Sequence, residues 1–324
     1  MNGPVFIGGL ERTGTSLLYA LLASHPGIAM TRRTNWWTFF DGRYGDLAHD
    51  RNLDRCLNAM RRYRRHIKLG LDQDQLRRDF IGGDRSYCRL FALMQEQHAE
   101  RLGRHRWGDK SLNTERYAET VFRCFPDARI VHLIRDPRDR YASVLKRWKS
   151  KRGGIGTATA AWLGSVRLGE ENQARYPGRY RIVRYETLVN DPEGTLRDLC
   201  AFIGEPYDPA MLDMSGAEDF RASGGNSSFG AFAAGEISAR SVGRYRDVLS
   251  PRQIAFVQRE AVPVMRRHGY EAAEVELGPA DKLQYALITV PANIAKMVLW
   301  RAREEAYNVT GRAPSGHTLV EDGA

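Results

Sequence analysis

The chain has 324 residues, of which 42% are hydrophobic and 10% aromatic. This composition is ordinary for a globular protein with a full core, and it excludes disorder as a description of the whole chain. The 49 lysine and arginine residues against 39 aspartate and glutamate residues give a net charge of +10. Such a charge attracts nucleic acid, an acidic membrane surface or a phosphorylated small ligand, and it does not choose among them.

The first elements predict the opening unit of a nucleotide-binding α/β fold. A short apolar run at residues 4–7 predicts a strand, and two glycines follow it. Leucines at helical spacing then predict a helix from Thr15 to about Ala23. A strand, a glycine-bearing turn and a helix in this order are typical of phosphate-binding α/β proteins.

Strands and helices alternate along the chain to about residue 278. Further strands are predicted at residues 128–134 and 180–185, and helices at 53–67, 89–102, 114–122, from 137, 192–203 and 251–268. Residues 31–50 and 215–243 are predicted to be irregular. Alternation with apolar strands predicts an α/β fold with a P-loop-like parallel sheet flanked by helices. We assign residues 1–278 to this domain and 279–324 to a helical C-terminal appendage and tail.

The four cysteines lie far apart, without a CxxC pair or a Cys/His spacing that would bind zinc. Few, scattered cysteines are typical of a reducing compartment, where thiols pack as small hydrophobes. The chain starts without a signal-peptide pattern, and no apolar stretch is clean enough for a membrane span. We therefore expect a soluble, cytoplasmic protein.

Residues 9–16 nearly match the P-loop pattern GxxxxGK[ST]. A turn with free backbone N–H groups at a helix N-terminus suits a phosphate. Thr15 stands where the P-loop lysine belongs, and the cation of the loop is Arg12 instead. A kinase without that lysine loses its hold on the β- and γ-phosphates. Arg12 with Thr13, Thr15 and Ser16 suits a single phosphate that carries a transferable group; a simple connecting turn is the alternative interpretation.

A second phosphate site is predicted where the strand at 129–134 ends. Arg135 follows that strand, at the edge where open α/β sheets bind ligands. Ser143 and Arg147 are four residues apart, so they share one face of the helix that begins at Pro137. Arg135 and Ser143 can together bind a phosphate. The alternative is a capped, solvated helix start without a ligand. A magnesium-binding strand would end in aspartate, so no metal is expected.

Together the two motifs resemble the sulfotransferase family of the P-loop superfamily. The sequence is Arg-Thr-Gly-Thr-Ser at 12–16 and Arg-Asp-Pro-Arg-Asp at 135–139. In that family the loop holds the 5′-phosphosulfate of 3′-phosphoadenosine-5′-phosphosulfate (PAPS). The strand-end arginine and the serine eight residues later hold the 3′-phosphate. The resemblance implies these nucleotide-binding residues: Arg12, Thr13, Gly14, Thr15, Ser16, Arg135, Ser143, Arg147, Tyr185 and Arg244.

The resemblance covers about residues 3–270 and includes two later motifs, at 184–188 with Asp191-Pro192 and at 241–245. By analogy Tyr185 lies near the adenine, with a packing role as the alternative, and Arg244 reaches a nucleotide phosphate. The implied reaction is transfer of a sulfonate from PAPS to a hydroxyl of a small-molecule, carbohydrate or glycolipid acceptor, with PAP as the product and no metal.

The sequence departs from the family at the catalytic base. Tyrosyl-protein sulfotransferases carry a glutamate just after the first helix, but residues 29–37 hold no carboxylate. Cytosolic sulfotransferases use a histidine on a central strand, and the comparable segment here contains Asp109 and Lys110. We predict that Asp109 is the base, that Lys110 steadies the transferring sulfonate and that Arg12 stabilises the leaving oxygen.

Other interpretations of these features stay open at this stage. Asp41 is a second candidate base; His25 is a weaker one, because a histidine before proline at a helix end is more often structural. The aromatic residues at 36–44 suit either an acceptor pocket or the core. A basic helix face at 61–68 suits solvent or peripheral contact with an anionic membrane.

Two other functions fit less well. A small-molecule kinase requires the P-loop lysine and a metal-binding acid, and the motifs contain neither. A non-catalytic nucleic-acid-binding protein fits the charge, but no RNA- or DNA-binding motif is present. We therefore expect no nucleic-acid partner.

Overall fold

The computed structural model describes residues 3–148, 153–225, 227–230 and 232–310, with side chains described to residue 307. Five strands form one all-parallel sheet in the order β2-β3-β1-β4-β5. They are β1 (Val5–Gly8), β2 (Ile28–Arg32), β3 (Arg106–Lys110), β4 (Arg129–Ile134) and β5 (Tyr180–Arg184). The predicted α/β class with a helix-flanked parallel sheet is confirmed.

The helices cover both faces of this sheet. They are α1 (Thr15–Ala23), α2 (Trp36–Phe39), α3 (Asp50–Arg62), α4 (Arg64–Ile67), α5 (Gln73–Ile81), α6 (Tyr87–Arg101), α7 (Ala118–Cys124), α8 (Pro137–Arg147), α9 (Gly154–Arg175), α10 (Tyr185–Asn190), α11 (Pro192–Ile203), α12 (Glu218–Ala222), α13 (Pro251–Arg267), α14 (Pro279–Gln284) and α15 (Val290–Thr310). Among the residues that the structure describes, no helix is long and apolar enough to cross a membrane.

The side chains of β1 alternate between the two faces of the sheet, so this strand contributes to two hydrophobic cores. Val5 and Ile7 point to one face, where they pack with Leu18 and Leu21 of α1. Phe6 points to the other face and contacts the aromatic ring of Phe91 on α6. All three β1 side chains are fully buried, as expected for a central parallel strand covered on both faces.

Two strands lie in segments where the sequence predicts no strand. β2 lies in and before a segment predicted to be irregular, and β3 lies between the predicted helices at 89–102 and 114–122. β3 carries charged residues in a buried strand, and their partners come from distant parts of the chain. Arg106, for example, donates to the Ile203 carbonyl at 2.7 Å and to Glu205 at 3.0 Å. The helix predicted at 53–67 is also broken, because Tyr63 adopts an extended conformation between α3 and α4.

The prediction that all cysteines pack as free thiols is wrong for one pair. A disulfide joins Cys88 of α6 to Cys124 of α7, whereas Cys56 and Cys200 are buried free thiols. Disulfides persist mainly in oxidising environments, so this bond weighs against a reducing compartment. Cytoplasmic localisation stays a prediction.

The predicted C-terminal appendage is helical over the part that the structure describes. α14, a π-helical turn (Tyr285–Thr289) and α15 follow one another from residue 279 to 310. α15 lies against α9, where the Gly156 N–H donates to Asn293 Oδ1 at 3.1 Å and a Cβ on Gly156 would lie 2.3 Å from the Asn293 carbonyl oxygen. Residues 311–324 lie outside the described residues, and the boundary at 278 stays a prediction.

Candidate active site

All five strands place chemically useful side chains at the same edge of the sheet. Parallel strands have their carboxyl ends together, and ligands of open α/β sheets bind there. The residues at or just beyond these ends are Arg12 after β1, Arg32 on β2, Lys110 on β3, Arg135 after β4 and Tyr185 after β5. Four of the five are cations, so this edge is strongly electropositive.

The loop after β1 requires its glycines. Gly9 has φ 119°, and a Cβ there would lie 2.4 Å from the Leu133 carbonyl oxygen. Gly14 has φ 97°, and a Cβ there would lie 2.3 Å from Tyr185 Cδ2. Only glycine fits such approaches without displacing its neighbours, so Tyr185 packs directly on this loop.

Buried polar contacts hold this loop in place. Glu115 is 2% exposed, and it accepts hydrogen bonds from the Gly9 N–H at 3.0 Å and from Ser165 Oγ at 2.5 Å. The Thr13 hydroxyl donates to the Leu10 carbonyl at 2.8 Å. Thr13 therefore closes the loop on itself, whereas Gly14, Thr15 and Ser16 line the adjoining cavity.

Arg135 is built into the wall of the cavity. It is 4% exposed, its guanidinium lies 4.5 Å from the centre of the Tyr185 ring, and it donates to the carbonyls of Ser241 at 2.6 Å and Arg12 at 3.3 Å. Its Nε is buried and has no hydrogen-bond partner among the described residues. A buried cation with an unsatisfied donor beside a cavity suits an anion.

The two aspartates of the second motif fix the position of neighbouring segments through hydrogen bonds. Asp136 caps α8 through the Arg138 N–H at 2.9 Å. Asp139 accepts the N–H groups of Gly243 at 2.7 Å and Tyr245 at 2.8 Å. These bonds fasten the 3₁₀ turn Arg244–Asp247 to α8, so the motif tightens the segment that carries Arg244.

Two predicted arginines lie outside the cavity wall. The Arg244 side chain is 45% exposed, pairs with Asp247 at 3.3 Å and lies 5.4 Å from the ring of Phe229, which lines the cavity. Arg147 is exposed at the end of α8, and its charge lowers the pKa of Arg12. Both are near this cavity, and contact with a nucleotide stays a prediction for each.

Arg12 connects the two motifs. Its Nε donates to Ser143 Oγ at 2.9 Å, and its Nη2 donates to Ser228 Oγ at 2.7 Å. Burial first, and then the charges of Arg135 and Arg147, lower the pKa of Arg12 to about 10. Arg12 therefore stays cationic at neutral pH in an environment that favours a bound anion.

The cavity beside Arg12 is partly open to solvent, and the empty space within it, counted together with the solvent at its mouth, is about 720 Å³. The rest of its lining comes from residues within 214–225, 227–230 and 232–238, among them Phe220, Ser228 and Phe229. The sequence predicts this segment only as a loop. Its glycine and serine content carries no periodic signal, and nothing in it points to the cavity.

Asp109 and Lys110 alternate on β3, so they point to opposite faces of the sheet. The Asp109 side chain is fully enclosed, and its two oxygens accept the hydroxyls of Thr31 and Ser111, each at 2.8 Å. Burial raises the pKa of Asp109, and the two hydroxyl bonds oppose this in part. Asp109 does not line the cavity, so in this conformation a hydroxyl of Thr31 or Ser111 must move before a substrate reaches it.

Lys110 lies between the phosphate loop and β2. It pairs in register with Ile7 of β1 and Arg32 of β2, and it is 3% exposed. Its ammonium forms no salt bridge within the described part of the chain. Burial first, and then the charges of Arg33 and Arg32, lower the pKa of Lys110 to about 7.

The remaining candidates lie away from this edge. His25 follows α1, opposite the carboxyl edge, and its ring is held by the Pro206 carbonyl at 2.8 Å and the Gly27 N–H at 3.0 Å, which supports a structural role. Asp41 follows α2, and burial raises its pKa against the lowering charges of Arg123 and Arg43. It does not line the cavity.

The aromatic residues at 36–44 belong mainly to the core. Trp36, Trp37 and Phe40 are at most 4% exposed, and both tryptophans contact Phe91. Their role in an acceptor pocket is therefore not supported.

The sequence matches a known family model over residues 4–209, and that model describes the sulfotransferase family. The chain belongs to the sulfotransferase family. The match covers more than half of the chain and includes both predicted phosphate motifs.

Curated relatives agree with this assignment at low identity. A protein-tyrosine sulfotransferase of Drosophila melanogaster is 24% identical over 217 residues, which is 64% of this chain and 39% of that protein. Carbohydrate sulfotransferase 3 of Homo sapiens is 28% identical over 167 residues, which is 45% of this chain and 34% of that protein. The match therefore spans well under two thirds of each relative.

Solved structures of low identity share the fold. The sulfotransferase domain of the Synechococcus PCC 7002 olefin synthase superposes with a TM-score of 0.59 at 20% identity, covering 84% of this chain and 98% of that one. The sulfotransferase domain from the curacin biosynthetic pathway gives 0.57 at 18% identity, covering 84% and 99%.

Proposed function

We propose that this chain transfers a sulfonate group from PAPS to a hydroxyl of a small-molecule, carbohydrate or glycolipid acceptor and releases PAP. The contact that carries the proposal is the bond of Arg12 Nε to Ser143 Oγ at 2.9 Å. It joins the loop expected to hold the phosphosulfate to the serine expected to hold the 3′-phosphate. A ligand with both groups on one nucleotide is the natural partner of such a joined site.

The residues present fit this donor. Arg135 offers a buried, unsatisfied Nε toward the 3′-phosphate, with the Ser143 hydroxyl beside it. The Tyr185 ring lines the same cavity and suits an adenine. Gly14 directly precedes α1 and Thr15 and Ser16 begin it, and the first N–H groups of this helix lack helical partners and favour an anion.

Different groups of the protein stabilise the leaving oxygen and the transferred sulfonate. PAPS, when bound, would supply the sulfonate, and the negative charge that develops as the S–O bond breaks would lie on the oxygen of its 5′-phosphate. Arg12 and the N–H groups of the phosphate loop stabilise that charge. Lys110, between the loop and β2, steadies the sulfonate oxygens, since nearby anions favour its charged form.

Asp109 remains our proposed base, within a limit set by its burial. Its carboxylate must exchange the bond of Thr31 or Ser111 for one to the acceptor hydroxyl. A raised pKa makes a carboxylate a stronger proton acceptor, which supports the role.

The acceptor class, metal-independent transfer and peripheral membrane contact are parts of the same proposal. The experiment that tests it measures PAP release from PAPS in the presence of pooled hydroxyl acceptors, against ATP as an alternative donor. We expect PAP release with PAPS and no phosphoryl transfer with ATP. Arg12→Ala should lose both PAPS binding and turnover. Phosphoryl transfer from ATP in place of PAP release would reject the proposal.

A further inference from the structure

A group of arginines lies on the side of the phosphate loop away from the nucleotide cavity. We call Arg32, Arg33 and Arg65 the outer arginine cluster. In the sheet order, β2 and β3 lie on one side of β1, and β4 and β5 lie on the other. The residues assigned to the 3′-phosphate and adenine come from the β4 and β5 side, whereas the cluster comes from the β2 side.

Backbone contacts fix the geometry of this cluster. Arg32 is the register partner of Lys110, and the Arg33 N–H donates to the Lys110 carbonyl at 2.7 Å. The Arg33 carbonyl accepts the Tyr63 hydroxyl at 2.9 Å, and Tyr63 directly precedes the helix that carries Arg65. The cluster is therefore continuous with Lys110 and, through it, with the phosphate loop.

The cluster is not neutralised by the chain. Within the described part of the chain, no residue of the cluster forms a salt bridge, and Arg65 Nε is buried without a hydrogen-bond partner. The enclosed Asp109 is bonded to Thr31 and Ser111 instead. Asp219 helps to raise the pKa of Tyr19, whose ring lies 5.6 Å from the Arg32 guanidinium. Asp219 itself forms no salt bridge with Arg32 among the described residues.

Arginines held together in this way repel one another unless an anion lies between them. Burial and the charges of Arg33 and Arg32 lower the pKa of Arg65, in agreement with such repulsion. Arginine forks fit the oxygens of carboxylate, sulfate and phosphate groups. Both phosphates of the donor are already provided for by Arg12, Arg135 and Ser143.

We propose that the outer arginine cluster binds an oxyanionic group of the acceptor, a phosphate, sulfate or carboxylate carried near the hydroxyl that is sulfated. The inference rests on the proposed sulfotransferase function and narrows its acceptor to an anionic molecule. It also assigns a role to Arg32 and Arg33, which lie in the segment where tyrosyl-protein sulfotransferases carry a glutamate.

The test uses the full chain saturated with PAP and calorimetric titration with four sugars: glucose, glucose 6-phosphate, glucose 6-sulfate and glucuronate. We expect at least one anionic sugar to bind about tenfold or more tightly than glucose, which corresponds to one charge-assisted contact. The sugar with the highest affinity identifies the oxyanion.

The double variant Arg33→Gln/Arg65→Gln should lose this preference and keep its affinity for PAP. The matched control is Arg55→Gln/Arg167→Gln, which removes the same charge from exposed positions of α3 and α9 and should keep the preference. Arg33→Gln alone, at an exposed side chain, serves if the double variant does not fold. No preference over glucose in the wild type, or a preference that survives in the variants, overturns the proposal. Failure of the wild type to bind PAP would instead reject the proposed function.

Discussion

Arg12 Nε donates to Ser143 Oγ at 2.9 Å, although 131 residues separate them. Ser228 completes a triangle, with its Oγ 2.7 Å from Arg12 Nη2 and 3.0 Å from Ser143 Oγ. The three side chains are donors that an anion can share. A ligand that contacts only one motif therefore gains less binding free energy than a ligand that contacts both.

Loss of the second motif should weaken binding of PAP selectively. We expect Arg135→Ala and Ser143→Ala to cost about 1.5–3 kcal/mol in PAP affinity, the value of a charge-assisted hydrogen bond. Affinity for 5′-AMP, which lacks the 3′-phosphate, should change much less. Calorimetry with both nucleotides measures the difference. Arg129→Ala, at the opposite end of β4, is the control; equal losses for both nucleotides would remove the second phosphate site.

Asp109→Asn should leave PAP affinity intact and lower turnover by a factor of about 10² or more, because an amide cannot accept the proton. Initial rates with a verified acceptor and PAP titrations of the same preparation give the two values. Asp41→Asn is the matched control, because it makes the same change in the second candidate carboxylate, which belongs neither to β3 nor to the loop after β1, and it should keep normal turnover. Normal turnover of Asp109→Asn with a slow Asp41→Asn would move the base to Asp41.

Lys110 should make stability depend on pH. Its pKa is lowered from 10.5 to about 7 in the folded chain, mainly by burial. Between these pH values the unfolded chain binds more protons than the folded one, so the free energy of unfolding rises with pH there. Below about pH 7 the folded chain must hold a charged, buried lysine at full cost.

Lys110→Met removes that cost, so it should be more stable than the wild type at pH 6, and its advantage should shrink by pH 10. Urea denaturation at pH 6, 8 and 10 measures the free energies of unfolding. Lys68→Met, at an exposed position, should show no such trend. A Lys110→Met advantage that stays constant across this range would mean that the pKa of Lys110 is not lowered.

Transfer should proceed without a divalent metal. A sulfonate carries less charge than a phosphoryl group, and a cation, Arg135, follows β4 where a metal-binding acid would stand. Rates in excess EDTA should equal those in magnesium. Activity that vanishes in EDTA and returns with magnesium would favour a phosphoryl-transfer enzyme instead.

Periodic elements are predictable from this sequence because local signals agree with the fold. α1 (Thr15–Ala23) has the predicted bounds, and β4 ends before Arg135 as predicted. The spacing of the apolar residues in such elements indicates which of their faces is buried, and glycine or proline marks where a helix starts or stops.

β3 and the cavity wall at 214–238 could not be predicted in the same way. β3 buries Arg106 and Asp109, and the partners that make this tolerable, Glu205 and Thr31, lie far away in the sequence. Ser228 reaches Arg12 across 216 residues. Such pairs form only when the chain folds, and no local pattern in the sequence indicates which distant residues will meet.

Thermal stabilisation by nucleotides tests the central claim most directly. PAP contains the 5′- and 3′-phosphates for which Arg12 and Arg135 are proposed, and a ligand that binds only the folded chain raises its melting temperature. With each ligand at the same concentration, we predict a clearly larger shift for PAP than for ADP, ATP or a short RNA. A larger shift for ATP or RNA, with little or none for PAP, would contradict the account.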